Sequence, residues 1–443
     1  MLNNLDSNKR ERVGWYFYDV ANSAFYTTVI SVFLGPYLKS ITLAAADSSG
    51  FVHLLGIPIY HNSFFFYVLS LSFVAQFFAL PILGAIADYT NQKKLLLGVF
   101  AYIGSAATMA MYFIEGDNFL FAGAMLLIAN VAFGASIVMY NAFLNEISPP
   151  DRRDAVSSIG WAFGYLGGGV VLAANLVLYS YFDELGWSES VAIRISMASA
   201  GMWWAIFTII PMITLKVRGT FTGIPKSERM LTVGFKQLVS TVKDAKKYPK
   251  TMYFLLAYLC YNEGVQVVIV SAALFGDELG FGTAVNINVI LMVQFVAFLG
   301  AMIFSKIAKK VGNKNAILLS LIIWTVSVWY GYQFTYSVAQ FYTLAASIAL
   351  VLGGTQALSR SLYSQVIPPG KEAEYFSLYE ISDRGTSLIG PFLFGLTLQY
   401  TGSFRAALLS LIVFFIIGFV LLLKADVKGA IKASGNELPS NLK

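Results

Sequence analysis

Twelve apolar segments, each long enough to cross a lipid bilayer as a helix, dominate this chain of 443 residues. A helix needs about 20 mostly apolar residues to span the hydrocarbon core. We number the segments spans one to twelve, at residues 13–38, 63–87, 94–114, 118–146, 155–181, 192–215, 250–275, 285–308, 315–334, 338–366, 373–400 and 404–424. Strands of a membrane barrel would be about ten residues long and alternate in polarity. The sequence therefore predicts an all-α, multi-pass integral membrane protein.

The composition excludes the common soluble classes. Only 12% of the residues are charged, whereas 57% are hydrophobic, and a soluble domain typically carries about 25% charged residues. A water-soluble globule could not bury this much apolar surface, which excludes a cytosolic enzyme, a disordered chain and a nucleic-acid-binding protein. We interpret the net charge of +6 as basic loops at the membrane surface, and expect no nucleic-acid partner.

The distribution of basic residues predicts the orientation in the bilayer. If both termini are cytoplasmic, 25 of the 30 Lys and Arg residues lie in inside segments and three lie outside. Cytoplasmic loops of membrane proteins carry such an excess.

Residues 1–12 are polar and the first apolar segment is too long for the apolar core of a signal peptide, so we expect no cleavable leader. The short tails favour a bacterial inner (plasma) membrane.

The longest internal loop divides the chain into two sets of six spans. We predict an N-terminal bundle at 1–215, a cytoplasmic linker at 216–249 and a C-terminal bundle with a short tail at 250–443. Within the linker, apolar residues recur with helical spacing at Phe235, Leu238, Val239 and Val242. This pattern predicts an amphipathic helix on the anionic leaflet, and a solvated connector is the alternative.

The two halves share weak internal repeats. Residues 145–150 (NEISPP) at the end of span four correspond to residues 364–369 (SQVIPP) at the end of span ten, an offset of 219. The loop that follows span two at 84–94 corresponds to 305–314 after span eight, at an offset of 221. Duplicated units of this kind are common in transporters, which bind their substrates between the repeats.

Six ionisable residues lie well inside the spans: Asp19, Glu263, Arg360, Glu380, Asp383 and Arg384. An ionisable group inside a membrane helix costs about 2.5–3.5 kcal/mol on insertion scales, so such groups face a wet cavity or a partner. They fall in spans one, seven, ten and eleven, together with amides such as Asn22, Asn262, Gln266 and Gln356. These ionisable groups are therefore predicted to face a wet cavity or a partner within the protein.

Span one carries a polar and aromatic face that includes Tyr16 and Asp19, with Asn22 one turn further along. We expect Asp19 to couple protons or bind an amine. The alternatives are that it caps a neighbouring helix or pairs with an arginine to lock the fold.

Span seven places Asn262, Glu263 and Gln266 near its midpoint. Glu263 is a candidate proton carrier because desolvation can bring a carboxyl pKa towards the working pH. A static ion pair is the alternative.

Arg360 on span ten is the candidate clamp for a substrate anion, with Gln356 one turn away, because a guanidinium binds carboxylates in a bidentate manner. Internal pairing with Asp383 or Glu380 is the alternative for Arg360. Glu380 and Arg384 are i,i+4 neighbours that neutralise each other in the simplest interpretation.

A second group of charges lies at the cytoplasmic edge of spans two to five. Asp88, Lys93 and Lys94 follow span two, while Glu146 and Arg152 lie at the end of span four. A carboxylate at this edge can accept hydrogen bonds from a helix N-terminus or a basic side chain of the opposite half. We predict that these residues, together with Gly84 near the end of span two, hold a cytoplasmic gate shut.

Several motifs resemble the major facilitator superfamily. The loop Gly84-x-x-x-Asp88-x-x-x-x-Lys93-Lys94 resembles its signature loop, and the second copy has Lys309 where an Asp would stand. Span five resembles the antiporter motif, with Tyr165 in place of its proline. The stretches 14–25, 261–266 and 353–376 resemble the vacuole-effluxer-like branch, which includes the autophagy-related vacuolar permeases of fungi. The resemblance implies two pseudo-symmetric six-helix bundles, both termini in the cytoplasm, and transport associated with amino-acid efflux in fungi.

These observations predict a secondary active transporter that moves a small polar or amphipathic solute by alternating access. We expect proton coupling, no other cofactor, no metal, a monomer, and partners limited to a small-molecule substrate and the bilayer. A non-transporting receptor or scaffold and an integral membrane enzyme are the alternatives. The sequence contains no nucleotide-binding loop of the G-x-x-x-x-G-K type, and the protein is not expected to be an enzyme.

Overall fold

The computed structural model describes residues 4–439 apart from 55, 62–63, 219–242, 245, 282, 385–388, 391–392, 395–396, 398–400 and 402. Within this part, eleven helices are long and apolar enough to cross a membrane, and they coincide with spans one to ten and twelve. The all-α membrane fold is therefore confirmed. After span one, the main helices are Phe64–Thr90, Lys93–Ala110, Phe119–Ala142, Arg153–Ser180, Glu189–Thr214, Pro249–Glu278, Thr283–Val311, Asn313–Phe334, Val338–Val366, Glu372–Arg384, Phe404–Ser410, Ile412–Lys424 and Val427–Ala433.

Two predicted segments are covered only in part. Span eleven begins as the helix Glu372–Arg384, and residues beyond it fall partly outside the described ranges, so the count of twelve spans stays a prediction. The amphipathic pattern of the linker, at 235–242, lies wholly outside the described residues. The side chains of Glu380, Asp383 and Arg384 also lie outside them.

Span one is longer than the predicted 13–38. Its helix begins at Asn4 and continues through a π-helical segment, Phe25–Phe33, to Ala44. The polar residues before the membrane extend the helix because they make the same backbone hydrogen bonds, which hydropathy does not detect. A π-helical stretch is rare and often marks a functional position. It begins six residues after Asp19, which is about 1.7 turns along the helix.

Polar side chains begin several helices, and a short hairpin joins spans one and two. Asn118 and Ser188 accept hydrogen bonds from backbone N–H groups of the first turn, and Ser337 forms a full capping box with Gln340. Such caps satisfy N–H groups that have no partner within the helix.

The antiparallel strands Phe51–Leu54 and Ile57–Tyr60 form the hairpin that joins spans one and two.

The two predicted halves pack against each other through a few spans. Span five packs against spans eight and ten, and the described part of span eleven packs against spans two and four. Gly84 of span two lies against backbone of the opposite half, since a Cβ there would lie 2.5 Å from the Ala373 carbonyl oxygen. Glycine thus permits close approach of the two halves at the predicted cytoplasmic edge.

Candidate functional site

An ion pair joins the two halves inside the membrane-spanning region. Arg360 Nη2 of span ten lies 3.5 Å from Asp19 Oδ2 of span one, and both side chains are buried. The hydroxyl of Tyr140 donates a second hydrogen bond to the same carboxylate oxygen, at 2.5 Å. The sequence left both pairing and ligand binding open for these two residues, and it did not indicate Asp19 as the partner of Arg360.

The remaining polar contacts of Arg360 are made with spans four and five. Nε donates to Ser157 Oγ at 2.9 Å, and Nη2 donates to the Ser157 carbonyl oxygen at 2.9 Å. Nη1 donates to Asn141 Oδ1 at 3.4 Å. All these acceptors belong to the N-terminal half. A guanidinium from the C-terminal half is thus hydrogen-bonded within a pocket of the opposite half, where the low dielectric strengthens each contact.

Three aromatic rings surround the same guanidinium, and we call them the aromatic cage. The Arg360 Cζ atom lies 4.8 Å from the ring centroid of Trp15, 5.2 Å from that of Trp161 and 5.5 Å from that of Tyr140. Cations within about 6 Å of an aromatic face are attracted by the ring quadrupole. The sequence analysis missed the cage because aromatic residues are abundant throughout the spans and only packing brings these three together.

Gly160 makes room for this arrangement. A Cβ at this position would lie 2.5 Å from Trp15 Cζ3, 2.7 Å from Asp19 Oδ2 and 3.1 Å from Arg360 Nη2. Contacts this short require the neighbours to shift. The glycine at the start of the span-five motif is therefore adjacent to the buried ion pair as well as to the neighbouring helix.

The other predicted residues of span one lie close to Asp19. Tyr16 is buried and packs on Phe163 with ring centroids 5.7 Å apart. Asn22 donates to the Tyr18 carbonyl oxygen of its own helix at 2.7 Å. On span ten, Gln356 accepts a short hydrogen bond from the hydroxyl of Tyr165 on span five. This tyrosine occupies the position of the antiporter motif's proline.

Glu263, the acid of span seven, is hydrogen-bonded to the backbone of the predicted span eleven. Glu263 is buried, and its Oε2 accepts a hydrogen bond from the Gly390 N–H at 2.8 Å. Asn262 is also buried, and Gln266 is partly buried. The hydroxyls of Tyr261 and Ser359 are 2.6 Å apart. Span seven therefore contacts span ten at the residue that precedes Arg360.

A cluster of charges lies at the predicted cytoplasmic edge. Lys93 Nζ lies 3.2 Å from Asp88, 3.1 Å from Glu146 and 3.3 Å from Glu372. Asp88 Oδ2 also accepts a hydrogen bond from the Glu374 N–H at 2.9 Å. Glu372 and Glu374 begin the span-eleven helix. Four predicted gate residues, Gly84, Asp88, Lys93 and Glu146, thus meet the opposite half here.

Two further residues of the predicted gate lie elsewhere. Lys94 donates to the Leu215 carbonyl oxygen at the end of span six, at 2.8 Å. Arg152 is exposed, whereas its neighbour Arg153 is buried and donates to the Ser364 carbonyl oxygen of the C-terminal half at 3.0 Å. The rotation of the first turn of span five decides which of the two arginines points into the protein. Two adjacent arginines in a sequence do not indicate that rotation.

Asp154 forms another contact between the halves that the sequence analysis missed. Its Oδ1 accepts hydrogen bonds from Ser361 Oγ at 2.5 Å and from Asn313 Nδ2 at 2.6 Å. Asn313 lies in the loop of the second repeat, at the position that corresponds to the signature loop after span two. Each half therefore presents this loop to the start of a helix of the other half.

Among the described residues, no group of three or more His, Cys, Asp or Glu side chains is placed to hold a metal ion. The two histidines lie at the hairpin that follows span one. His61 Nδ1 lies 3.0 Å from the Gly50 carbonyl oxygen, and His53 Nδ1 lies 3.9 Å from Asp47. Backbone N–H groups of Phe51 and Ser49 hold the pKa of Asp47 below its ordinary value.

Solved structures with the same fold are membrane transporters. The proton:xylose symporter XylE, bound to 6-bromo-6-deoxy-D-glucose, superposes with a TM-score of 0.70 at 11% identity, covering 94% of this chain and 95% of that chain. A bacterial homologue of the iron transporter ferroportin in an outward-facing state superposes with a TM-score of 0.66 at 13% identity, covering 94% and 98%. This similarity shows the major facilitator fold.

Sequence comparison identifies the branch. An uncharacterized MFS-type transporter of Bacillus subtilis, YxiO, is 30% identical over 438 residues, which are 97% of this chain and 98% of that protein. Autophagy-related protein 22 of Pyricularia oryzae is 25% identical over 506 residues, covering 90% of this chain and 74% of that protein. The family model "Vacuole effluxer Atg22 like" matches residues 7–148 and 145–435. The chain is therefore a membrane transporter, not an enzyme, and it belongs to the Atg22-like branch of the major facilitator superfamily.

Proposed function

We propose that the protein is a proton-coupled secondary transporter in which the buried Asp19–Arg360 pair links protonation to the separation of the two halves. The observation that carries the proposal is the insertion of Arg360 from span ten into a pocket of the N-terminal half, 3.5 Å from the Asp19 carboxylate. Alternating access requires the halves to rock about a central site. Because the Asp19–Arg360 pair joins the two halves, the free energy of separating them depends on whether Asp19 is ionised.

The state of Asp19 decides how strongly Arg360 is held. An ionised carboxylate balances the buried guanidinium, whereas a protonated one leaves it as an uncompensated charge, which is strongly destabilising. Proton uptake by Asp19 therefore favours withdrawal of Arg360 from the N-terminal half and separation of the two halves at this contact. The sequence interpretation of Arg360 as a clamp for a substrate anion is compatible with this cycle, because the guanidinium is released when the halves part.

The charge cluster around Lys93 supports the same cycle. Its bonds to Asp88 and Glu146 lie within the N-terminal half, while the bond to Glu372 crosses between the halves. Parting the halves removes only the last of these, so Lys93 keeps two carboxylate partners in the open form. We propose that the cluster closes the cytoplasmic gate and that Glu263 acts as a second proton carrier in the C-terminal half.

We further propose that the solute is small and polar or amphipathic, with amino-acid-like efflux the first class to test. The family name, vacuole effluxer, and the autophagy-related fungal relatives support this class. The full-length similarity to a Bacillus subtilis transporter supports a bacterial inner membrane location, and we expect the protein to act as a monomer.

The test is transport by the purified protein in liposomes that contain a pH-sensitive dye. An amino-acid and metabolite panel should produce solute-dependent proton movement with the wild type. Asp19→Asn mimics the protonated acid, so it should abolish proton movement and solute accumulation yet retain exchange of solute across the membrane. Asp183→Asn, at an exposed position, is the matched control.

Full proton coupling in the double variant Asp19→Asn, Glu263→Gln would refute the coupling roles. Absence of flux for every solute, with a correctly folded protein, would instead favour a receptor or scaffold.

A further inference from the structure

We propose that the aromatic cage, together with Asp19, is a cation-binding site of the N-terminal half that receives a guanidinium or ammonium group of the transported solute once Arg360 has left it. The inference rests on the proposed transport function and names the class of solute. In the described conformation Arg360 fills this site, and its polar and aromatic partners among the described residues all belong to the opposite half.

The lining of the site suits a cation. Around the guanidinium lie a carboxylate oxygen of Asp19, the Ser157 carbonyl oxygen and the amide oxygen of Asn141, which are all hydrogen-bond acceptors. The faces of Trp15 and Trp161 lie within 5.2 Å of Cζ. Aromatic faces next to a carboxylate are the arrangement by which proteins bind alkylammonium and guanidinium groups. A neutral solute of the same shape gains little from it.

Contacts within the N-terminal half hold Trp15, Tyr140 and Asp19 together without help from Arg360. The Trp15 indole N–H donates to the Tyr140 carbonyl oxygen at 2.9 Å, and the two rings stack at 4.3 Å. The hydroxyl of Tyr140 donates to Asp19 at 2.5 Å. These residues lie on spans one and four of the same half. This part of the site therefore persists when the C-terminal half moves away, and once Asp19 has released its proton, the carboxylate lacks a cation.

One ring of the cage carries a buried donor, which indicates what else the solute carries. The Trp161 Nε1 atom is buried and has no hydrogen-bond partner among the described residues. An indole N–H can only donate. A solute with an acceptor oxygen close to its cationic group, as in an amino acid or an amino alcohol, would satisfy it. Release of Arg360 and entry of such a solute would then be competing events at one site.

A second arginine of the chain provides the contrast. Arg405 lies over the ring of Tyr336, at 4.2 Å, but it donates to backbone carbonyl oxygens of Gly331 and Tyr332 in its own half. Among the described residues, this guanidinium has backbone carbonyl oxygens and no carboxylate as hydrogen-bond partners. Arg405→Ala therefore removes an arginine from an aromatic face without exposing an acid, which makes it the matched control for Arg360→Ala.

The test uses n-propylguanidinium, which reproduces the arginine side chain beyond Cα, and n-propylurea, its neutral counterpart. Each is titrated into detergent-purified Arg360→Ala protein, with tryptophan fluorescence and melting temperature as readouts. We expect saturable binding of propylguanidinium and none of propylurea. Adding Trp15→Leu or Asp19→Asn should weaken binding about tenfold or more. Arg405→Ala, which keeps Arg360 in the cage, should bind propylguanidinium no more tightly than the wild type does.

Equal binding of the two compounds, or no binding by Arg360→Ala protein that melts like the wild type, would overturn the inference. If Arg360→Ala does not fold, wild-type proteoliposomes replace it, and uptake of labelled propylguanidinium but not of propylurea is expected. Transport of another solute without uptake or competition by propylguanidinium would refute the cage and leave the transport function standing. Specific binding without transport of any solute would support the cage and refute the transport function.

Discussion

Replacing Gly84 with alanine tests whether the described contact between the halves belongs to only one state of the cycle. The new Cβ would lie 2.5 Å from the Ala373 carbonyl oxygen, 2.9 Å from its carbonyl carbon and 3.2 Å from the Glu374 Cα. All three are backbone atoms of the opposite half and cannot turn aside as a side chain does. An ordinary contact begins at 3.4 Å, so the halves must separate at this point by about 1 Å.

The expected magnitude follows from the size of this clash. Overpacking by a methyl group costs about 1–3 kcal/mol, and here the penalty applies only while the predicted cytoplasmic edge is closed. Such a difference shifts the ratio of closed to open protein by about 5–150-fold. The higher helix propensity of alanine stabilises span two in both states and leaves their ratio unchanged.

Electron–electron distance measurements between spin labels at Leu95→Cys and Lys310→Cys, one in each half, report this ratio on a Cys260→Ser background. Gly84→Ala should move the distribution towards longer distances. Gly201→Ala is the matched control, since its Cβ would lie 2.7 Å from the Met109 backbone nitrogen within the same half. It should lower the melting temperature without changing the distance. An unchanged distribution in folded Gly84→Ala protein would refute the reasoning.

Three further outcomes are expected. Lys93→Met leaves three buried carboxylates without their cation, which costs about 3–5 kcal/mol; its melting temperature should fall further than that of Glu372→Gln, and equal losses would contradict the assignment. Ser157→Ala removes one of the four acceptors of the Arg360 guanidinium, the side-chain hydroxyl, a hydrogen bond of about 1.5–3 kcal/mol, and should lengthen the same spin-label distance, whereas an unchanged distance would show that this bond does not hold the halves. The hydrogen-bonded ion pair with Lys250 lowers the pKa of Asp426 from its ordinary value of 3.8, so its contribution to stability is present above pH 3.8 and is lost as the pH falls through the lowered value. Asp426→Asn should therefore reduce the melting temperature more at pH 7 than at pH 2, and a constant difference would contradict this.

Hydropathy alone predicted most of the architecture. A helix that crosses a bilayer must satisfy its own backbone hydrogen bonds, so the length of an apolar run is sufficient to locate it. Eleven predicted spans are helices in the described part of the chain. Among the described residues, span one differs most, because its helix begins at Asn4 and ends at Ala44, where polar residues continue it outside the apolar run.

The candidate site was predictable only as a list of buried charges. Asp19, Glu263 and Arg360 stood out because an ionisable group is expensive within a membrane. Their partners could not be predicted, since Asp19 and Arg360 are 341 residues apart. Helical periodicity defines which residues share a face of a helix, but not which other helix packs against that face. The same limit explains why Asp154 and the acids that begin span eleven were missed.

The sequence by itself determined where the chain crosses the membrane, which residues are costly to bury, and the family to which the motifs belong. Those properties depend on local composition and on spacing along one helix. Only the tertiary structure decided that Arg360 enters the opposite half, that Trp15, Tyr140 and Trp161 surround it, and that Gly84 permits the halves to touch. Each of these depends on how helices distant in the chain pack against one another, because complementarity between two surfaces is a property of neither surface alone.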